Sequence, residues 1–292
     1  MEKKSVLFAV ALLALFHASC SDNGIQPPLE PSSSSQTPRS SSSSSSLDCS
    51  VFSSSSTSED LCLDFDPDAE IEHYGKMKKQ FCDKRDGKKY AYVQIGEQTW
   101  MAENLNFDIC GSKCGDTVRS NFVDINTEIC DKYGRLYDRT AALTICPDGW
   151  HLPSDSEWTT LTNYIGGNPT AGTKLKAMSD WVVDFCLDDR YVNAKLMRDY
   201  INSSLIVICG VNGTDDYGFS ALPGGYGCSQ TGRFYDYGLV VGPLSGNWWI
   251  IMGNDRDNYY DARSILYAES CMFSRIFSST DFLSVRCVKD IF

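Results

Sequence analysis

Histidine is almost missing from this chain: three in 292 residues, His17, His73 and His151, with His17 inside the N-terminal leader. A Ser–His–acid or Cys–His machine therefore has essentially one candidate base, His151, and its neighbours read as structural. The same shortage excludes a His-rich zinc site. Basic residues are outnumbered, 26 Lys and Arg against 38 Asp and Glu, for a formal charge of −12, and they gather into no stripe. A nucleic-acid partner is not expected, nor is adhesion to anionic lipid by charge. The apolar run from Ser5 to Phe16 falls short of the ~20 residues a spanning helix needs. No internal repeat is visible.

Cysteine, by contrast, is abundant, with thirteen in all. Behind an export signal such a count predicts disulfides rather than metal or redox sites. Lys3 and Lys4 precede the apolar run, and His17-Ala18-Ser19-Cys20 follows it, which is the layout of a signal peptide over residues 1–19. The segment resembles the lipobox of bacterial lipoproteins, in which the cysteine after small residues is acylated and becomes the new N-terminus. His17 stands where that family usually has an aliphatic residue. On this reading Cys20 is the lipidation site, and acyl chains hold the protein at a membrane without a spanning helix. Ser21 rather than Asp after the cysteine points, by resemblance to lipoprotein sorting signals, to the outer membrane. Ordinary signal-peptidase cleavage nearby would instead leave Cys20 as an odd thiol. Setting Cys20 aside leaves an even number of cysteines, which fits full pairing.

Residues 20–60 are dominated by Ser, with Pro and Thr, and bury too little apolar surface to offset their ordering entropy; they predict a disordered tether. Cys49 within it is expected to be stapled to Cys62 or to the domain proper. Residues 61–82 form a lead-in, and 83–292 suit one domain with an irregular insertion at 184–210.

Cys146 to Leu161, CPDGWHLPSDSEWTTL, carries the strongest local signal. Ser154 with Glu157 three residues on reads as a capping box, and Asp155 and Glu157 suit the first helical turn. Trp158 and Leu161 share one helix face, expected to dock on Trp150 and Leu152. A first helix is expected over YGRLYDRTAAL, where Leu136, Thr140 and Leu143 fit one face. Lys88 to Ile95 alternates as a strand, and Gly96-Glu97 turns it into Thr99 to Met101. Further strands are expected at 219–222, 232–241, 248–252, 262–267 and 283–288. The pattern is α+β with two helices and a mainly antiparallel sheet, braced by disulfides.

DGKKY..VQIG.QTWMAENLN, C..YGRLY, CPDGWHLPS..EW..L, AG.KLK, GTDDYGFSALPGGY and SVRCVKD, in that order, resemble the Fibrobacter succinogenes major paralogous domain. That family occurs in secreted and lipid-anchored bacterial proteins and has no assigned activity. Its pattern is in turn similar to the C-type-lectin-like fold shared with formylglycine-generating enzymes, so the resemblance implies a C-type-lectin-like domain. The chain departs from the family at Asp138-Arg139, where a Trp-containing end is usual and a looser first helix is expected. It departs again at NWWIIMGND, where the family tends to FWSST.

Adjacent Trp248 and Trp249 point to opposite faces of a strand, so at most one is core and the other offers a stacking platform for a sugar ring or covers the sheet edge. With Asn247 and Tyr259 they are the candidate ligand-binding residues, and Tyr235, Tyr237 and Tyr260 extend the aromatic stretch. Asp215-Asp216, and Asn254, Asp255 and Asp257 around Arg256, are candidate Ca²⁺ ligands against a default of solvated loops. The bridge-forming cysteines are taken as Cys110, Cys114, Cys130, Cys146, Cys186, Cys209, Cys228, Cys271 and Cys287. The pairings Cys110–Cys114, Cys186–Cys209 and Cys228–Cys271 are adopted, although spacing does not choose among the connectivities. A formylglycine-generating oxidase needs a reactive late cysteine pair, for which only Cys271 and Cys287 remain, and SVRCV reads as a core strand. The expected function is a non-enzymatic, surface-displayed, lipid-anchored binding or adhesion module for polysaccharide or a cell-envelope protein, with no cofactor beyond the Ca²⁺ candidates. The alternatives are an oxidase-like enzyme of that kind and a purely structural envelope protein.

Overall fold

The structure, a computed structural model, describes residues 61–115, 127–181, 212–231, 233–235, 237–238, 242–251 and 259–291. The signal peptide, Cys20, the tether with Cys49, the insertion with Cys186 and Cys209, and Asn254, Asp255 and Asp257 lie outside these residues.

Two sheets carry the fold. β1 (Glu70–His73), β2 (Lys76–Cys82), β3 (Lys89–Ile95) and β4 (Gln98–Met101) form a meander. β6 (Trp150–His151) and β15 (Val288–Lys289) complete a six-stranded antiparallel sheet in the order β1-β2-β3-β4-β15-β6. The β3–β4 hairpin turns where expected, with Ile95 opposite Gln98 and Gly96 at φ +63°. Residues 61–82 are no mere lead-in: they supply two strands of this sheet, and Cys62 is bonded to Cys82, not to Cys49.

The second sheet joins β5 (Leu136–Tyr137), β11 (Ser245–Trp249), β12 (Tyr259–Leu266), β13 (Met272–Ser278) and β14 (Leu283–Ser284) in the order β13-β12-β11-β14-β5. Only β11 and β14 run parallel in it, meeting at Trp248 and Ser284. β7 (Tyr226–Cys228) with β8 (Arg233–Tyr235), and β9 (Tyr237–Gly238) with β10 (Gly242–Pro243), make two small ribbons. The helices are α1 (Thr127–Tyr133), α2 (Arg139–Ala142), α3 (Asp155–Tyr164) and α4 (Asn168–Leu175). The molecule is α+β, its sheets largely antiparallel.

Both faces of the five-stranded sheet are covered. Trp248, Ile265 and Met272 belong to one core, with Trp100, Trp158, Leu161 and Phe219. Trp249, Ala262 and Phe277 belong to the other, with Met101, Tyr137, Trp150 and Leu152. The capping box at Ser154 forms as expected, its Oγ accepting from the Glu157 amide. The docking partners differ: Trp158 packs on Trp100, Phe219 and Trp248, while Trp150 stacks on Phe81 in the opposite core.

YGRLYDRTAAL is not one helix. Leu136 and Tyr137 pair with β14, and Asp138 then caps a four-residue helix by accepting from the Ala141 amide. Arg139 is buried and keeps this corner tight. It donates to the carbonyls of Ile250 and Ile251, and its guanidinium lies 5.1 Å from the Tyr260 ring centre. The expected strand 283–288 splits, its ends joining different sheets while Val285 to Cys287 cross between them. At 219–222 a single bridge, Ala221 to Lys176, replaces a strand.

Three bridges are Cys62–Cys82, Cys114–Cys130 and Cys146–Cys287, and Cys110 and Cys271 are also disulfide-bonded. Cys110 and Cys114 are thus not partners, because the middle of α1 brings Cys130 to Cys114 instead. Cys228 carries a free thiol, which removes Cys228–Cys271 and full pairing.

Candidate functional site

A cleft of about 310 Å³ lies between the β1–β3 meander and α1. His73 and Tyr74 enter it from the β1–β2 hairpin, Lys88 from just before β3, Lys89 and Tyr90 from β3, and Glu103, Asn104 and Asn106 from the turn after β4. α1 supplies Asp131 and Lys132, and Gly134 closes the helix at φ +79°. A Cβ at Gly134 would stand 2.6 Å from that of Asn104, so only glycine lets the helix end approach the floor this closely.

Most polar groups of the lining are already engaged. The Tyr90 hydroxyl accepts from the Asn106 amide, the Lys88 ammonium donates to the Asn106 carbonyl at 2.5 Å, and Lys132 pairs with Asp180 at 2.6 Å. Asn104 spends its whole side chain internally. Its Oδ1 accepts from Arg286 and from the Trp248 indole at 2.8 Å, while its Nδ2 donates to the Tyr133 carbonyl.

Behind the floor lies a buried charged chain. Lys78, 3% exposed, donates to Ser220 Oγ at 2.5 Å, and Ser220 donates to Asp215 Oδ2 at 2.6 Å. The Ser220 amide satisfies the other Asp215 oxygen. Asp215 and Ser220 both take positive φ, 45° and 50°, backbone strain that the chain of bonds offsets. Arg286 is fully buried and donates to the carbonyl of Phe219. Burial pulls the Lys78 ammonium down to about 8, although the Asp215 carboxylate opposes it. Ser220 has no exposed surface and its proton is held by Asp215, so the trio is a closed chain rather than an open nucleophile.

Two lining groups connect this chain to the cleft. His73 Nδ1 lies 3.1 Å from the Lys78 ammonium, and burial together with Lys78 and Arg286 brings the imidazole down to about 4, so it is neutral at pH 7. Glu103 Oε1 accepts from the Ala91 amide at 2.7 Å, and Oε2 has no hydrogen-bond partner among the described residues. Desolvation raises the Glu103 carboxyl, against the pull of the Ala91 amide, Arg286 and Lys78.

His151, the one candidate base and expected to be structural, is clamped between two acids, Nδ1 to Asp290 at 2.5 Å and Nε2 to Glu157 at 2.7 Å. Burial lowers its pKa, but the bonds to Glu157 and Asp290 outweigh that and raise it. Both ring nitrogens are used, which leaves none to act as base.

The expected ligand platform does not exist. Trp248, Trp249 and Asn247 are all 0% exposed. Each face of β11 has its own core, so opposite side-chain directions place both rings inside. The Trp249 indole donates to the Tyr137 carbonyl, and Asn247 Nδ2 to Ser245 and the Gly225 carbonyl. Tyr259 is 44% exposed but lies outside the cleft, and Tyr260 packs against Arg139. The side chains of Tyr235 and Tyr237 lie outside the described residues. Asp215 is a buried acceptor rather than a loop ligand for Ca²⁺, and no group of three metal-ligating side chains occurs among the described residues. Cys271 and Cys287 are both bonded and buried.

Sequence reasoning missed Lys78, Glu103, Asn104, Ser220 and Arg286. The available signal was a charge inside an apolar run, as with Arg286 between Val285 and Cys287; Lys78, in the lysine-rich KMKKQ of β2, carries no such mark. Four of the five lie in the motifs that carry the family resemblance, MAENLN, GTDDYGFSALPGGY and SVRCVKD.

No curated protein and no solved structure matches this chain. The model of the Fibrobacter succinogenes major domain matches residues 93–289. Since that stretch holds both sheets' central strands, the cleft floor from Glu103 to Asn106 and the buried chain around Arg286, the protein belongs to the Fibrobacter succinogenes major domain family.

Proposed function

We propose that this is a binding module displayed at the cell surface, held to the outer membrane through an acylated Cys20 and carried on the Ser-rich tether. In this reading the cleft beside α1 takes a polysaccharide segment. The observation that carries it is the lining itself, in which the half-buried Tyr74 stands among carboxylates, amides and ammonium groups while Tyr90 is buried beneath them. Drug-like pockets are mainly apolar, whereas a hydroxyl-rich ring needs acceptors and donors at several points with an aromatic side to lie on. The C-type-lectin-like fold that the motifs resemble is consistent with such a role, with the ligand in the cleft rather than on the late Trp pair. The oxidase-like alternative loses its support at Cys271 and Cys287, which present no free thiol.

Retention of the purified chain on insoluble polysaccharides, with competition by soluble oligosaccharides, tests this. Retention of wild type, with Tyr259→Ala unaffected, is expected. Absence of retention on every polysaccharide, with capture of a fixed envelope protein in whole-cell crosslinking, would leave the structural-protein reading in its place.

A further inference from the structure

Resting on the polysaccharide reading, the geometry points to Glu103 and Asp131 as paired acceptors that select a neutral glycan by its adjacent free hydroxyls. Lys88 is bonded to the Asn106 carbonyl, Lys132 to Asp180, His73 to Lys78, and Asn104 to Arg286 and Trp248. Two carboxylate oxygens are left over among the described residues. Glu103 Oε2 is one; Asp131, which uses Oδ1 to accept from Asn106 Nδ2 at 3.2 Å, contributes its other oxygen. Asn106 Oδ1 also lacks a partner among the described residues, but it is sealed from solvent and offers the ligand nothing.

Open carboxylate oxygens on the lining suit a ligand rich in donors. Sugar hydroxyls supply these, and two neighbouring hydroxyls on one ring match two separate acceptors. The fixed geometry adds selectivity, because the Ala91 amide holds Glu103 Oε1 at 2.7 Å and thereby aims the carboxylate. The buried chain behind the floor has a role in this arrangement. Lys78 and Arg286 favour the ionised form of Glu103, the form with the strongest acceptors, in a place where burial alone disfavours it.

Glu103 and Asp131 disfavour an acidic glycan by like charge. An anionic ligand would meet both carboxylates, and among the described residues it would find one cleft lysine without a hydrogen-bonded or ion-paired partner, Lys89, whose ammonium lies 5.8 Å from the Phe65 ring centre.

Affinity electrophoresis of the full chain in gels of neutral glucan, mannan, xylan and polygalacturonate provides the test. Wild type is expected to be retarded by at least one neutral polymer and not by polygalacturonate. Glu103→Gln and Asp131→Asn should each weaken that retardation by about tenfold or more, as a site built to accept hydrogen bonds does when an acceptor is lost. Asp131 is exposed on α1, so Asp131→Asn isolates the effect from folding, and an unchanged unfolding midpoint checks Glu103→Gln. Equal retardation of wild type and both variants overturns this inference alone. Retardation by polygalacturonate only also overturns it, while leaving the polysaccharide reading standing. No retardation by any polymer overturns both.

Discussion

Trp248 and Trp249 are neighbours in sequence and end in separate cores, each with its indole N–H donating to an internal acceptor at 2.8 Å. Replacing Trp249 by Ala should therefore remove about 3–5 kcal/mol of stability, read as a lowered urea midpoint, without bearing on ligand contact. His151 offers the sharpest pH test at this scale. Its folded pKa is raised above the unfolded value by Glu157 and Asp290, so its contribution is complete below the unfolded pKa and fades as pH rises through the folded one. Glu157 is lowered by the Ser154 amide and hydroxyl and by His151, in spite of burial, so its share is lost as pH falls through its folded value. The stability gap between wild type and His151→Gln should be largest near about pH 5–6 and shrink towards about pH 9. A gap that grows with pH would show that the clamp is not held by the imidazolium.

Helix α3 shows how far local chemistry reaches. Its start is written in Ser154 and Glu157, which exchange hydrogen bonds with each other's backbone amides. Ser154→Ala should cost about 1 kcal/mol, and Glu157→Ala more than that because it also releases His151. Urea denaturation of the two variants distinguishes the contributions. The first expected helix failed for a reason of the same kind. Asp138 is an N-cap in the middle of an apolar period, and its own Oδ1 restarts the chain just after Leu136 and Tyr137 have entered a sheet. The period alone does not show this. Arg139 likewise replaces an aromatic side chain with a guanidinium that serves two carbonyls and lies over two rings.

At the scale of the whole molecule, Cys146 and Cys287 lock β6's approach to the segment that crosses between the sheets, closing a separation of 141 residues. In the chain-entropy account such a loop is worth about 5 kcal/mol, so Cys146→Ala with Cys287→Ala should unfold at much lower urea than wild type. Failure of the double variant to shift the midpoint would mean that the cores hold the crossing unaided. The cleft is likewise a property of the assembled chain. Its walls come from residues 73–74, 88–90, 103–106, 130–134 and 222, and the chain behind its floor joins Lys78 to Ser220 across 142 positions.

The amino-acid sequence by itself determined the family, the α+β class, the β3–β4 hairpin and the capped helix. It also marked the chain as rich in bridges and poor in catalytic bases. Each of these depends on neighbours within a few residues, on a residue count, or on motifs whose order survives without coordinates. Only the tertiary structure decided which cysteines pair, that both late tryptophans are interior, and that Glu103 faces a cleft while Arg286 lies buried beneath it. Those outcomes depend on which surfaces cover which, and a strand's alternation says that its two faces differ without saying that either one is left to solvent.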